Sequence, residues 1–377
     1  MIVVQIAPQI GPGTGVGAVA YALEREWTDL GHDVRRFTLA DCGGDRLPAT
    51  GRGAAGKLAL ALRVVWFSTV GTARARRMLR ALPDAVSVCH NDAVAGDLYV
   101  NHGNLHAAMR SRGHYAWRMV RNPMHLFVWA RDRRRYAGTT HRLVVNLSES
   151  ERASLLGTYR VTPPTTVIGN GVDLDRFRPA TDEERRAARV EAGVPGSARV
   201  VAFVGHEYGR KGLDVLIDAI GRTRVPHVLL VAGGDETMVA GGRALAAEKG
   251  VADRVVFRGQ VADARSTLAA ADVFCLPSAY EAHALVVLEA LACGLPVVAT
   301  PVGAAPELLV DGENGALVER DAAAVAAGLD AVAALDPASA AAAARATAER
   351  HSWREVALRY LDAIASVRPS TADTVLS

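Results

Sequence analysis

Ten short apolar runs recur along the chain, separated by segments with helical patterning, and this alternation restricts the fold more than any other feature. The runs cover residues 2–7, 34–39, 85–90, 98–102 and 143–147, then 199–205, 228–233, 255–259, 272–277 and 296–300. Strands separated by helix-length segments form βαβ units, with parallel strands and helices covering the sheet. Several runs, such as "RVVAFVG" and "VLLVAGG", are near-continuous aliphatic stretches, as burial on both faces requires. An α/β fold with two parallel sheets is expected. The length of 377 residues agrees, since a single core stops growing at about 250–300 residues.

The division between the two sets of strands is expected around 163–198, where Pro163, Pro164, Gly169, Gly171 and Pro179 interrupt the pattern. That gives an amino-terminal domain over 1–165 and a carboxy-terminal domain over 166–351. A last helix, 352–367, is expected to pack back on the first domain, followed by a frayed polar tail at 368–377. Charge is uneven between the halves. Residues 1–170 hold 22 Arg and Lys against 12 Asp and Glu, and the remainder holds 21 against 28. Within 110–135 stand Arg110, Arg112, Arg118, Arg121, Arg131, Arg133, Arg134 and Arg135 against Asp132 alone, interleaved with Tyr115, Trp117 and Trp129. This mixture suits peripheral contact with an anionic membrane, and an ordinary solvated basic face accounts for it equally. Nucleic acid is not expected, because no recognisable binding module accompanies the segment.

No run reaches the roughly 18–20 uninterrupted apolar residues of a membrane span. The opening "MIVVQIAPQI" has no basic residues before its apolar ones and reads as a strand, not a signal peptide. The expected location is therefore cytoplasmic, at the inner face of the plasma membrane if the basic segment meets lipid. Cys42, Cys89, Cys275 and Cys293 lack CxxC spacing and sit in or beside apolar segments, which favours reduced core thiols.

In open parallel sheets, ligands bind at the carboxyl ends of strands, where loops lead into helix amino termini. After "RVVAFVG" comes "HEYGRKGLDVLIDAI", which places Arg210 and Lys211 in a loop before a helix, two cations suited to phosphate. After "DVFCLP", residues 278–283 read as a loop, 284–293 as a helix and Gly294 as its stop, so Glu281 lies in the loop and Glu289 on the helix's second turn. A glycosidase pair needs about 5–5.5 or 6.5–9.5 Å between carboxylates, whereas eight helical residues span ~12 Å, so two separate hydrogen-bonding roles fit better. At the amino end, "PQIGPGTGVGAVA" is a glycine-rich strand-to-helix loop in which Gly13, Gly15 and Ala18 match GxGxxA, with Asp33 or Asp41 as a candidate ribose acid. The fingerprint should follow its strand tightly, and "PQIGP" intervenes; glycines that admit a sugar or phosphate close to the backbone explain the loop as well. Asp173 and Asp175 form a DxD within the expected linker, and metal binding there is not expected.

With these elements collected, the chain resembles the retaining glycosyltransferases of glycosyltransferase family 4, which have the GT-B fold of two Rossmann-like domains with parallel sheets facing a central cleft. The resemblance runs through "NGVDLDRFRP", "FVGHEYGRKGLDVLIDAI", "AADVFCLPSAYEAHALVVLEALACGLPVVATPVGAAPELLVDGENGALV" and "SWREVALRYLDAI". "GRKG" and "YEA" resemble most the lipopolysaccharide-core glucosyltransferase branch. The resemblance implies transfer of a hexose from a nucleotide-diphosphate sugar, a UDP-sugar by preference or GDP-mannose, to a hydroxyl of a glycan, glycolipid or secondary metabolite. It implies no cofactor and no metal. Arg210 and Lys211 would meet the diphosphate, Glu281 the sugar hydroxyls, Glu289 the ribose, and the backbone N–H groups of Ala284, Leu285 and Val286 the phosphates. Gly13, Gly15 and Gly17 would border the sugar and acceptor, and Gly205, Val261 and His283 complete the implied donor-binding set. His102, after "DLYVNH", resembles the polar residue that family members place over the donor sugar and joins Arg210, Lys211 and Glu281 as the implied catalytic set; His106 and His90 are nearby alternatives. Where many relatives have an Arg soon after "FVG", this chain has His206. A nucleotide-sugar epimerase or a non-catalytic sugar-nucleotide binder on the same fold is the alternative, and a dinucleotide oxidoreductase a more distant one.

Overall fold

The computed structural model describes residues 1–13, 15–51 and 53–367, so the tail expected to fray at 368–377 lies outside the described residues. The chain forms two compact units, one of Met1–Asn170 with the chain from Trp353 onward, the other of Gly171–Ser352.

The first unit carries β1 (Ile2–Ile6), β2 (Asp33–Phe37), β3 (Val86–Cys89), β4 (Leu98–Asn101), β5 (Leu143–Asn146) and β6 (Thr165–Val167), all parallel in the order β2-β1-β3-β4-β5-β6. The second carries β7 (Arg199–Val204), β8 (His227–Ala232), β9 (Val255–Gly259), β10 (Val273–Leu276), β11 (Val297–Ala299) and β12 (Gly315–Leu317), parallel in the order β12-β11-β10-β7-β8-β9. In each sheet the chain starts near the middle, builds to one side, then crosses to the other. The order reverses between β1 and β3 and between β7 and β10, and such switch points leave a crevice at the strands' carboxyl ends.

The strands β6 and β12 were not among the expected runs, because each has only three residues and neither presents a continuous aliphatic stretch. The segment expected as a linker also contains the helix Asp182–Ala192. It is set by a capping box in which the Thr181 hydroxyl accepts from the Glu184 N–H and the Glu184 carboxylate accepts from the Thr181 N–H. All four cysteines are buried free thiols.

The basic segment divides in two. Arg135 is wholly buried and donates to Asp132 at 2.5 Å, to the Tyr99 hydroxyl at 3.1 Å and to the carbonyls of Asp92 and Ala93 at 2.9 and 3.0 Å. Arg131 pairs with Asp92 at 2.7 Å and Asp132 at 2.9 Å. These two arginines are internal struts, a correction to reading the whole segment as a surface for lipid: a count along the sequence does not see Asp92 arriving from the loop after β3. The surface remainder includes Arg121, stacked 4.5 Å over the exposed Trp117, and Arg133, 5.6 Å over Trp129.

One helical run, Gly53–Arg80, is 28 residues long and contains an 18-residue stretch with a mean hydropathy of 1.2, which by length and composition alone would suffice for a membrane crossing. No uninterrupted apolar run in the sequence marks it; the helix is made continuous by a wide turn at Phe67–Gly71 and includes charged residues such as Arg63, Arg74 and Arg76. Phe67 and Ala75 are buried in the first unit's core, while Leu58, Leu60 and Leu62 are exposed.

The helix Trp353–Val367 belongs to the first unit and packs on the helix Val16–Asp29. Trp27 donates its indole N–H to the Ala357 carbonyl at 3.1 Å and meets the Tyr360 ring edge-on at 6.1 Å, both side chains being buried. Trp27→Ala is expected to cost about 3–5 kcal/mol of stability in urea titration, as large-to-small core changes do. Tyr360→Phe should be neutral or stabilising, because the Tyr360 hydroxyl is buried without a hydrogen-bond partner among the described residues.

Candidate active site

The second unit gathers its chemistry where the loops after β7, β8 and β10 converge. Beyond β7 the chain passes Gly205 into a one-turn helix, Tyr208–Lys211, so Arg210 and Lys211 sit on helix and not in the open loop that the sequence implied. Gly212 follows with φ 79°, the left-handed turn that ends this helix and starts the next at Leu213. The turn folds Lys211 back over the strand end: a Cβ on Gly205 would stand 2.1 Å from the Lys211 Cδ, which is why a residue without a side chain is needed there.

The centre of the cluster is the Glu281 carboxylate. Its Oε1 accepts from Lys211 Nζ at 2.9 Å and from Ser278 Oγ at 2.9 Å, and lies 3.1 Å from Arg210 Nη1. Arg210 also donates to Glu207 at 2.6 Å and to the Tyr280 carbonyl at 2.5 Å. The Ala279 N–H donates to the Arg210 carbonyl at 2.8 Å, and Arg320 donates to the carbonyls of Gly209 and Pro277 at 2.8 and 3.2 Å. Two loops from neighbouring strands are thereby fixed together, with cations and a carboxylate in contact. Ser278 and Arg320 had no role in the sequence reading; Ser278 carries only the weak signal of a hydroxyl three residues before a site carboxylate, and Arg320, distant in sequence, carries none.

Ala284 is the N-cap of the helix Leu285–Ala292, whose first-turn N–H groups, at Leu285 and Val286, precede the intrahelical bonding. Glu289 lies one turn on. Burial pushes its carboxyl up to about 7, opposed by Arg176 and Lys211 and reinforced by Asp263. Arg176 and Asp263 themselves pair at 2.9 Å. Val261 is half-buried in the loop after β9 that carries Asp263. His283 is buried, its Nδ1 has no partner among the described residues, and burial lowers its ring to about 3, so it packs behind the loop as a neutral group. His206, at the β7 end, accepts from the Gly234 N–H at 3.4 Å. The DxD is a turn cap: Asp173 accepts from the N–H groups of Asp175 and Arg176 at 3.1 and 2.9 Å.

In the first unit, the loop after β1 leads through Gly13 and Gly15, both with positive φ, into the helix Val16–Asp29; Gly15 is its N-cap at φ 76°, and nothing lies within 4 Å of where a Gly15 side chain would begin. At Gly17 a Cβ would come within 2.8 Å of the Gln9 carbonyl, so the loop closes tightly on itself. Of the two acids considered for a ribose, Asp33 pairs with Arg35 and Asp41 caps the Thr38 N–H and hydroxyl. His102 follows β4, and burial lowers its imidazole to about 4. His106 lies on the next helix, Leu105–Ser111, buried between Tyr115 and Tyr159 and bonded to the Tyr115 hydroxyl, so it does not share the strand end with His102.

Among known proteins, residues 13–176 match the Glycosyltransferase Family 4 domain and residues 198–334 the Glycosyl transferases group 1 domain. The D-inositol 3-phosphate glycosyltransferase of Mycolicibacterium vanbaalenii is 39% identical over 230 residues, covering 56% of this chain and 50% of that protein. The chain thus spans about half the length of the curated relatives it matches. Among solved structures, WaaG, a glycosyltransferase involved in lipopolysaccharide biosynthesis, superposes with a TM-score of 0.73 at 22% identity over 96% of this chain and 99% of that one. Anabaena HepE in complex with UDP-glucose gives 0.68 at 20% identity over 97% and 99%. The two matched domains, in this order and on two six-stranded parallel sheets, establish that the chain belongs to the family 4 glycosyltransferases and has the GT-B fold.

Proposed function

We propose that the chain is a retaining, metal-independent glycosyltransferase that moves a hexose from a nucleotide-diphosphate sugar, with a UDP-sugar as donor, to an acceptor hydroxyl on a glycan, glycolipid or secondary metabolite. The observation that carries this reading is the contact of Lys211 and Arg210 with Glu281 beside the amino terminus of the helix Leu285–Ala292. A diphosphate there meets two cations and backbone donors, and the adjacent Glu281 carboxylate, whose Oε1 these cations and Ser278 engage, has its second oxygen to offer sugar hydroxyls. As the glycosidic bond to the leaving phosphate breaks, negative charge grows on the diphosphate, and fixed cations and amides stabilise it without reorganising. The anomeric carbon becomes oxocarbenium-like, the acceptor hydroxyl attacks from the face the leaving group departs, and the departing phosphate takes the hydroxyl proton. His102 and the Gly13–Gly17 loop serve the sugar and acceptor in this scheme. A thermal-shift panel of UDP, GDP, ADP and their sugars tests the donor, since ligand at about 100 times its Kd stabilises by ~2.7 kcal/mol. Acceptor-dependent nucleotide release separates transfer from epimerisation or simple binding.

Lys211→Ala and Glu281→Ala should each lower kcat by ~10²-fold or more, the scale of losing one transition-state donor. Turnover at wild-type rates in both variants would remove the cluster from the chemistry.

Binding should also depend on pH through Glu289. A ribose hydroxyl donates to the carboxylate, so binding favours the ionised form, and a group titrating at about 7 when free is mostly protonated at pH 6. Affinity for UDP-glucose, whose diphosphate diester does not titrate in this range, should therefore rise by about tenfold from pH 6 to pH 8 and then level off. Calorimetry of Glu289→Gln should give a flat profile; an unchanged slope would assign the dependence to another group.

We further infer a cytoplasmic location with peripheral contact at the inner face of the plasma membrane. Supporting it are a groove of about 230 Å³ lined by Arg112, Trp117, Arg118 and Arg121, the 58% and 72% exposure of Trp117 and Val120, and the exposed leucines at 58, 60 and 62. Binding to anionic vesicles should weaken steeply between low and physiological salt, and the double variant Arg118→Ala/Arg121→Ala should lose it. Absence of vesicle binding at low salt would leave these residues as a solvated face.

A further inference from the structure

The loops after β3 and β4 bring two imidazoles together. Cys89 is registered with Tyr99, so His90 falls beside Val100, and His102, two residues on, emerges on the same face of the sheet. The rings lie 5.4 Å apart at 35°, with His90 Nδ1 3.2 Å from His102 Nε2. The His90 N–H donates to the Ile6 carbonyl at 2.8 Å, which ties this strand end to β1 and the root of the glycine loop.

A hydrogen bond between the two nitrogens requires one proton between them. Burial holds both rings neutral, that of His90 being wholly inside the unit. Two arrangements are then open. If His102 Nε2–H donates, the His90 proton must sit on its own Nε2, which is buried and has no hydrogen-bond partner among the described residues. That leaves a dry, unpaired N–H. If His90 Nδ1–H donates instead, the atom left dry is an acceptor nitrogen. Orphaned buried N–H groups are rarer in folded proteins than under-satisfied acceptors, which favours the second arrangement.

We propose that His90 is a positioning residue: it donates from Nδ1 to His102 Nε2 and leaves His102 with its proton on Nδ1, as a neutral hydrogen-bond donor of fixed orientation. The hydrogen bond made by one ring nitrogen dictates what the other presents. The consequence for turnover rests on the proposed function, in which His102 serves the donor sugar. A neutral donor suits an uncharged hydroxyl or ring oxygen and adds no charge where the oxocarbenium-like carbon develops.

The test is a long-range ¹H–¹⁵N correlation on the full chain labelled at histidine, without ligand. The expected result is His102 protonated at Nδ1 in the wild type. In His90→Phe, which keeps a buried ring but removes the donor, His102 should shift toward the Nε2–H form, and kcat should fall about tenfold, the scale of one hydrogen bond, with KM for UDP-glucose unchanged. His90→Asn, whose amide N–H occupies roughly the Nδ1 position, should restore both the Nδ1–H signature and most of kcat. An Nε2–H signature in the wild type would overturn the proposal. So would a His90→Phe chain with wild-type Tm in which neither the tautomer nor kcat moves. If the wild-type chain turns over no nucleotide sugar, the donor reading fails while the spectrum still decides what His90 does.

Discussion

One oxygen of Glu281 organises the second unit. A carboxylate with 11% side-chain exposure cannot stay charged unless it is paired and hydrogen-bonded, and Glu281 Oε1 meets that requirement with Lys211, Arg210 and Ser278 together. Because Lys211 and Arg210 arrive from the end of β7 and Glu281 from the end of β10, the interaction joins the two strands that flank the reversal of strand order. Much of the local backbone follows from it. Gly205 has no side chain because Lys211 crosses directly above it, and a Cβ on Gly212 would stand 2.0 Å from the Pro277 carbonyl of the other loop. The cations are therefore held in place by an internal anion, so that in the proposed function they need little rearrangement to meet a phosphate.

How much of this was legible in the sequence depended on whether the determining contact was local. Strands buried on both faces announce themselves as aliphatic runs, so both sheets were readable, while β6 and β12, three residues each, carry too little pattern. Arg210, Lys211 and Glu281 stood out because they follow apolar strands at the carboxyl ends where ligands bind, and Glu289 because it interrupts an apolar helical run. Ser278 did not stand out, since serine is ordinary in a loop and its bond to Glu281 depends on how the loop turns. Arg131 and Arg135 were misjudged for a related reason. Their partners include Asp92 and the Asp92 and Ala93 carbonyls, about forty residues away, and a charge count along the chain gives such arginines to the surface. The one-turn helix at Tyr208–Lys211 escaped as well, being too short for periodicity to reveal.

The two units fix their strand ends by different chemistry. The second uses formal charge, in the Glu281 cluster. The first uses neutral groups: His90 meets His102, and the Asn101 amide N–H donates to the Asn146 side-chain carbonyl at 3.0 Å across paired positions of β4 and β5. Where the first unit buries a cation, at Arg135, it is enclosed by Asp132, Tyr99 and backbone carbonyls. In the proposed function a diphosphate is recognised through charge-assisted hydrogen bonds, for which cations already held in place are suited. In the same proposed function the one formal charge beside the sugar, Glu281, already has its counter-ions in Lys211 and Arg210, and neutral imidazoles and amides can orient other hydroxyls without the cost of desolvating an unpaired charge. Burial, complete for His90 and partial for His102, lowers the basicity of both rings and makes them usable as neutral, directional hydrogen-bonding groups.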